Sequence, residues 1–158
     1  QHLFKLYSLV YIMDMLAVKT IGLIWCAMIA TAFWESSVEG EDAWNKGKLG
    51  WKLKFKKRTI LTSYHFWLFI IMYPVLLCIP LMLNFSLKFL GIIISGYSSG
   101  LIIEDYFWFI ANPKFTLKNF NPKDVKWHIW FRLGKLYIPY QYLLSLLIAI
   151  ASWFFLWR

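Results

Sequence analysis

The chain carries little charge, and acidic residues in particular are scarce. Charged residues make up 16% of the 158 residues, and lysine plus arginine outnumber aspartate plus glutamate by 17 to 8. Soluble domains usually carry about 25% charged residues and about 45–50% apolar ones, whereas this chain is 60% hydrophobic. Its apolar residues lie in long runs and do not alternate with polar residues as they would in a soluble core. The composition therefore excludes an ordinary soluble domain and favours a membrane protein.

Cysteines and familiar sequence motifs are nearly absent as well. The only cysteines, Cys26 and Cys78, lie within apolar runs at depths that differ by roughly 15 Å. A disulfide needs Cα atoms within about 7 Å, so no intrachain bridge is expected. The sequence has no H-E-x-x-H, C-x-x-C, Walker or G-x-S-x-G segment, and no Glu-x-x-His pair. These absences remove the commonest metalloprotease, nucleotide-binding, serine-hydrolase and di-iron sites from consideration.

Four apolar runs are each long enough to cross a bilayer as a helix, which takes about 20 residues. Because backbone polar groups cannot stay unpaired in hydrocarbon, a helix is the expected conformation of each run. The sequence predicts an all-α integral membrane protein, a single domain over 1–158 with about four transmembrane helices. Asp14 and Lys19 interrupt the first run, so residues 1–18 either span the membrane or lie on its surface. The predicted spans are 7–34, 60–83, 85–111 and 137–157.

Basic residues indicate the orientation of these spans. Most lysines and arginines lie in the loops at 35–59 and 111–137, which four spans place on the same side of the membrane. The positive-inside rule predicts that both loops are cytoplasmic and that both termini are non-cytoplasmic. We attribute the net charge of +9 to this topology and to attraction between the basic loops and anionic lipid headgroups. No nucleic-acid partner is expected, because the basic residues flank membrane spans.

The second loop has the pattern of a short helix. Asn121 and Pro122 suit the N-cap and the first helical position, Asp124 suits the first turn, and Gly134 suits the end. The segment carries Trp127, Trp130 and Phe131 among the basic residues Lys123, Lys126 and Arg132. We therefore predict an interfacial amphipathic helix over 122–133, between the third and fourth spans.

The third span has small residues at Gly96 and Gly100, followed at the same spacing by Glu104. These residues share one face of a helix, and small residues let a neighbouring helix approach closely. Glu104 should then face protein rather than lipid, and Asp105, about 100° further round the helix, can also point inward. The neighbouring helix belongs to the same chain, to another copy or to a different protein, so one expectation is a homo- or hetero-oligomer formed through the Gly96/Gly100 face.

A set of titratable side chains from three predicted spans shares the cytoplasmic leaflet. Acidic residues are costly within a membrane unless they are paired or neutralised. Carboxylates with imidazole suit zinc, iron or manganese, and carboxylates with water suit magnesium. We predict a divalent metal ion bound by Glu35, Glu39, His65 and Glu104, with Glu104 and Asp105 as candidate catalytic acid–base residues. Pairing of the carboxylates with lysines and arginines of the loops is the structural alternative.

Three functional hypotheses follow from this pattern. The first is a metal-binding membrane enzyme that acts on a lipid or another membrane-associated substrate. The second is a non-catalytic subunit of a larger membrane complex, in which the carboxylates pair with cations. The third is an oligomeric transporter or channel. The third ranks last because the sequence shows no inverted repeat and few polar residues in the non-cytoplasmic leaflet.

Overall fold

The computed structural model of the chain describes residues 2–45, 49–55, 58–83 and 85–158, and most of these are helical. Each of its four long helices contains a segment long and apolar enough to cross a membrane, and in the first helix this segment is Met15–Glu39. The predicted class, a helical protein with four helices of membrane-spanning length and composition, is therefore confirmed. The orientation of loops and termini stays a prediction. The helices are α1 (His2–Glu39), α2 (Ser63–Leu83), α3 (Leu87–Ala111) and α4 (Tyr140–Trp157).

Polar contacts explain why two helices differ in length from the predicted spans. Helix α1 continues to Glu39, past the predicted end at 34, because Glu35 and Glu39 are buried within the protein. Helix α3 begins at Leu87 because the Ser86 hydroxyl caps it, accepting a hydrogen bond of 3.0 Å from a backbone N–H of the first turn.

Two antiparallel β-hairpins, which the sequence analysis did not predict, lead directly into α2 and α4. The predicted spans that began at 60 and 137 included strand residues, since a short apolar run can form either a strand or the start of a helix. In the first hairpin Lys52–Phe55 (β1) pairs with Arg58–Thr62 (β2), and in the second Trp130–Leu133 (β3) pairs with Leu136–Pro139 (β4).

The interfacial helix predicted over 122–133 is not present. Asn121 does begin a turn, and its side chain accepts a hydrogen bond of 3.2 Å from the Asp124 N–H. The chain then extends, because Val125 is fully buried in the core, and Gly134 reverses it between β3 and β4 with a φ of 61°. The prediction was therefore right about the first turn and wrong about the residues that follow it.

Helix α3 packs against α1 along the glycines that the sequence analysis singled out. A Cβ atom at Gly96 would lie 2.9 Å from Cδ1 of Ile24, and one at Gly100 would lie 2.9 Å from Cγ of Met28. The two helices therefore approach more closely than larger residues would permit. The Gly96/Gly100 face is covered by α1 of the same chain, so an oligomer through this face would require α1 to move away.

On its other side α3 is joined to α4 by small polar residues. The Ser95 hydroxyl donates to the Ala149 carbonyl, and the Ser152 hydroxyl donates to the Gly91 carbonyl, each at 2.9 Å. The Trp157 indole N–H donates to the Ser95 oxygen at 2.8 Å. Such bonds hold apolar helices together where the hydrophobic effect between them is weak.

Helix α2 buries little of its surface, and a change of helical register shapes its first half. Residues Phe66–Met72 are π-helical, with backbone hydrogen bonds to the carbonyl five residues back. Pro74 has no N–H to donate, so in this register the Phe69 carbonyl lacks a backbone donor. The Tyr97 hydroxyl of α3 donates to that carbonyl and thereby ties α2 to the rest of the protein.

A core of aromatic residues lies at the hairpin end of α1 and α3. It is centred on Trp108 and Phe109 of α3, which pack with Ala32, Ala43 and Val125. Because this core holds the segment after α3 in place, it also positions the next residues along the chain. The partly buried side chains around it are Phe107, Phe115, Phe120, Trp127 and Trp130.

We expect Gly100→Leu to destabilise the protein, because even a Cβ at this position would lie 2.9 Å from Met28. Overpacking of this kind costs about 1–3 kcal/mol. Gly22→Leu is the matched control, since no atom lies within 4 Å of a Cβ at Gly22. Denaturant titration in detergent measures both variants. Equal stability of the two would contradict the close packing of α1 on α3.

We expect Tyr97→Phe to lower the free energy of unfolding by about 0.5–2 kcal/mol, because the Phe69 carbonyl loses its donor. Tyr106→Phe is the control, since Tyr106 is half-exposed on the same helix and its hydroxyl has no hydrogen-bond partner among the described residues. The same titration compares the two variants. A loss of stability in Tyr106→Phe as large as that in Tyr97→Phe would show that the Tyr97 bond is unimportant.

Candidate metal centre

The last turns of α1 supply two glutamates to one buried site. Glu35 and Glu39 are one helical turn apart and therefore share a face. They are only 3% and 6% exposed. A helix that ended at the predicted position, 34, would not have held them in this arrangement.

His65 lies opposite these glutamates, in the first turn of α2. Its Nε2 is 3.2 Å from Oε1 of Glu35, and its Nδ1 is 2.6 Å from the Thr62 hydroxyl, which also caps α2. When Nδ1 donates its proton to Thr62, the lone pair of Nε2 is directed towards the glutamates. A hydrogen bond of this kind orients the histidine ligands of metal sites.

Trp44 covers the imidazole from the loop after α1. Its ring centroid lies 4.0 Å from that of His65, its indole N–H donates to the Thr59 carbonyl at 3.2 Å, and its backbone N–H donates to Glu39 at 3.3 Å. Trp44 adopts a left-handed conformation with φ of 60°, which is unfavourable for a bulky residue. Backbone strain of this kind occurs preferentially at functional sites.

The side chains of Glu35, Glu39 and His65 each present a ligand atom within 4.8 Å of the other two. At metal–ligand distances of about 2.0–2.2 Å, ligands on opposite sides of one ion are about 4 Å apart. The separations of these atoms are therefore compatible with the binding of one ion between them. We refer to these three residues as the metal centre.

Glu104 of α3 lies beside the metal centre and is 7% exposed. Its Oε1 and the Oε2 of Glu35 are both buried and have no hydrogen-bond donor among the described residues. Two neighbouring carboxylates without a donor repel each other unless they share a proton or bind a cation. The structure thus brings together three of the four predicted metal ligands, Glu35, Glu39 and His65, and places the fourth, Glu104, in the wall of the same cleft.

Asp105, the other predicted catalytic residue, lies in a second polar group. Its Oδ2 is 3.2 Å from Nε2 of His128 and accepts a hydrogen bond from the Tyr142 hydroxyl. The Gln141 amide donates to Nδ1 of His128, so Nε2 carries the proton and donates to Asp105. We call Asp105, His128 and Tyr142 the aspartate triad.

The metal centre and the aspartate triad line the same cleft, which has a volume of about 310 Å³. Apolar side chains from β2, α2 and α3 form much of its remaining wall. This combination of an apolar wall with a few convergent polar groups is typical of small-molecule sites. The apolar residues include Ile60, Leu61, Phe69, Ile70, Leu101 and Ile102.

The sequence analysis did not identify Tyr142 and Gln141, and it considered His128 only as a loop residue on the same side. Gln141 is a polar residue in an otherwise apolar run, which is the signal that could have drawn attention to the start of α4.

Two other acidic residues of the first loop, Glu41 and Asp42, do not contribute to the metal centre. Glu41 is exposed and forms an ion pair of 2.7 Å with Lys114. The hydrogen bond from Lys114 and the attraction of its ammonium group lower the pKa of Glu41 below its usual value.

Comparisons with family models, curated proteins and solved structures find no match to this chain.

Proposed function

We propose that this chain is a metal-dependent membrane enzyme. Glu35, Glu39 and His65 would bind a divalent ion, Glu104 would lie beside it as a further ligand, and a membrane-associated substrate would occupy the cleft. The observation that carries the proposal is a pair of buried carboxylate oxygens, one on Glu35 and one on Glu104. Within the part of the chain that the structure describes, neither accepts a hydrogen bond, and both lie where imidazole and carboxylate side chains converge.

The electrostatics of the site support a bound cation. Burying a carboxylate without a partner is strongly unfavourable, and burying several together is more so. A divalent ion would neutralise two of these charges and would accept lone pairs from the oxygens that lack donors. The mixture of imidazole and carboxylate suits zinc, iron or manganese better than calcium.

The cleft also contains groups suited to moving protons. When bound, a divalent ion polarises substrate oxygens and makes water more acidic. Asp105 can accept a proton from a group in the cleft, while His128 and Tyr142 donate to the same carboxylate oxygen and hold it in one orientation. This arrangement supports acid–base chemistry next to the proposed metal.

A non-catalytic subunit is the alternative, in which Glu35 and Glu104 share a proton and serve only to join α1 to α3. A subunit of this kind would contain no bound metal, so a measurement of metal content decides between the shared proton and the metal site.

We expect protein purified in detergent to contain close to one zinc, iron or manganese ion per chain, measured by mass spectrometry. Glu35→Gln and His65→Gln remove a ligand and should lose most of this metal. Glu41→Gln is the matched control, because Glu41 is an exposed glutamate that lies outside the metal centre. It should retain metal at the wild-type level.

Thermal unfolding with and without added metal distinguishes a variant that has lost a metal ligand from one that does not fold. A ligand present at 100 times its dissociation constant stabilises the folded state by about 2.7 kcal/mol. The wild type and Glu41→Gln should show such a gain, and the two ligand variants should not. A wild-type protein that neither contains these metals nor is stabilised by them would overturn the proposal.

Thr62→Val should weaken metal binding about 10- to 100-fold, because Nδ1 of His65 loses the oxygen that orients the ring. Thr62 also caps α2, so some loss of stability is expected as well. Thr62→Ser keeps the hydroxyl and should restore affinity. If valine and serine variants bind metal equally well, the Thr62 contact does not orient a ligand.

A further inference from the structure

A second, wider cleft adjoins the metal centre and is lined by lysines. It has a volume of about 1140 Å³ and lies between the β1–β2 hairpin and the segment that follows α3. We call it the lysine cleft. Its lysines are Lys52, Lys54, Lys114, Lys123 and Lys126.

Most of the positive charge in the lysine cleft is not neutralised within the protein. Of its two acidic residues, Glu41 is paired with Lys114, and Asp124 accepts hydrogen bonds from the Asn119 and Asn121 amides. In the described part of the chain, none of the other four lysines of the cleft forms an ion pair. Several unpaired lysines that face one space attract a ligand with more than one negative charge.

The two clefts share a wall. Trp44, Trp127, His128 and Ile129 line both of them. A ligand with its anionic end among the lysines would have to pass these shared residues to enter the cleft of the metal centre. There it would meet the apolar side chains of α2 and α3 on one side and the aspartate triad on the other.

We propose that the lysine cleft binds the phosphate group of an amphiphilic phosphate ester, whose remaining part reaches the metal centre. A phosphate monoester carries about −1.5 to −2 charges at neutral pH, which matches several lysines better than a single carboxylate does. The apolar wall of the inner cleft matches an acyl or other hydrocarbon portion. Such an ester would be the substrate of the enzyme proposed above. Only its reaction rests on that proposed function, because binding of the phosphate group depends on the lysines.

The test measures binding of dioctanoyl phosphatidic acid to the full chain in a neutral detergent. Two double variants remove pairs of lysines from the cleft: Lys52→Gln with Lys54→Gln, and Lys123→Gln with Lys126→Gln. Lys118→Gln with Lys135→Gln is the matched control, since both lysines are exposed and neither lines a cleft. All three double variants lose the same net charge.

Each cleft variant should bind dioctanoyl phosphatidic acid about tenfold more weakly than the wild type, and the control should bind as the wild type does. Equal weakening in all three would mean that binding follows net charge alone, and the proposal would be overturned. Binding of inorganic phosphate tests whether the cleft recognises free phosphate or the phosphate group of a lipid. If it binds as tightly as the dioctanoyl lipid, the apolar part makes no contact and the amphiphile is the wrong ligand.

Failure of this inference can be distinguished from failure of the metal site. Glu35→Gln should still bind dioctanoyl phosphatidic acid, because the lysine cleft is intact. The cleft variants should still contain metal, which also shows that they fold. Loss of lipid binding in Glu35→Gln but not in the cleft variants would assign the lipid phosphate to the metal centre and would overturn the role of the lysines.

Discussion

The close approach of α1 and α3 determines where the acidic residues of this protein meet. Ile24 of α1 packs at Gly96 of α3, and Met28 packs at Gly100, so the contact advances in the same direction along both helices. Continuing this register by one turn places Glu104 level with Ala32, so Glu35 lies within the next turn of α1 and Glu39 one turn beyond it. A larger residue at either glycine would separate the helices and thereby the carboxylates.

The remaining candidate ligand, His65, comes from the helix with the smallest buried share, and a few polar contacts hold it in place. The Thr62 hydroxyl and the Trp44 ring restrain the imidazole, and the Tyr97 hydroxyl binds the carbonyl exposed by the π-helical turn of α2.

Charge is divided between two adjoining spaces. Acidic residues converge in the inner cleft between the helices, and lysines surround the outer cleft between the hairpin and the loop. The two tryptophans and His128 form the boundary. Such a division suits a ligand that is anionic at one end and apolar along its length, which is the class of ligand that we propose.

The number of long apolar helices and the meeting of Glu35, Glu39 and His65 were predictable from the sequence, because both depend on local properties. An apolar run of about 20 residues is sufficient to indicate a membrane helix. The constant rise of a helix allowed the depths of Glu35, His65 and Glu104 to be compared by counting residues. The glycine spacing likewise indicated that Glu104 faces protein.

Only the tertiary structure decided which helix covers the glycines and how the loops fold. The pattern of 122–133 suited a helix, yet the burial of Val125 and the turn at Gly134 direct that segment into a hairpin. The partnership of Asp105 with His128 and Tyr142 joins residues 23 and 37 positions apart. Contacts over such separations depend on how the helices and the aromatic core pack together, and no local pattern of residue types encodes them.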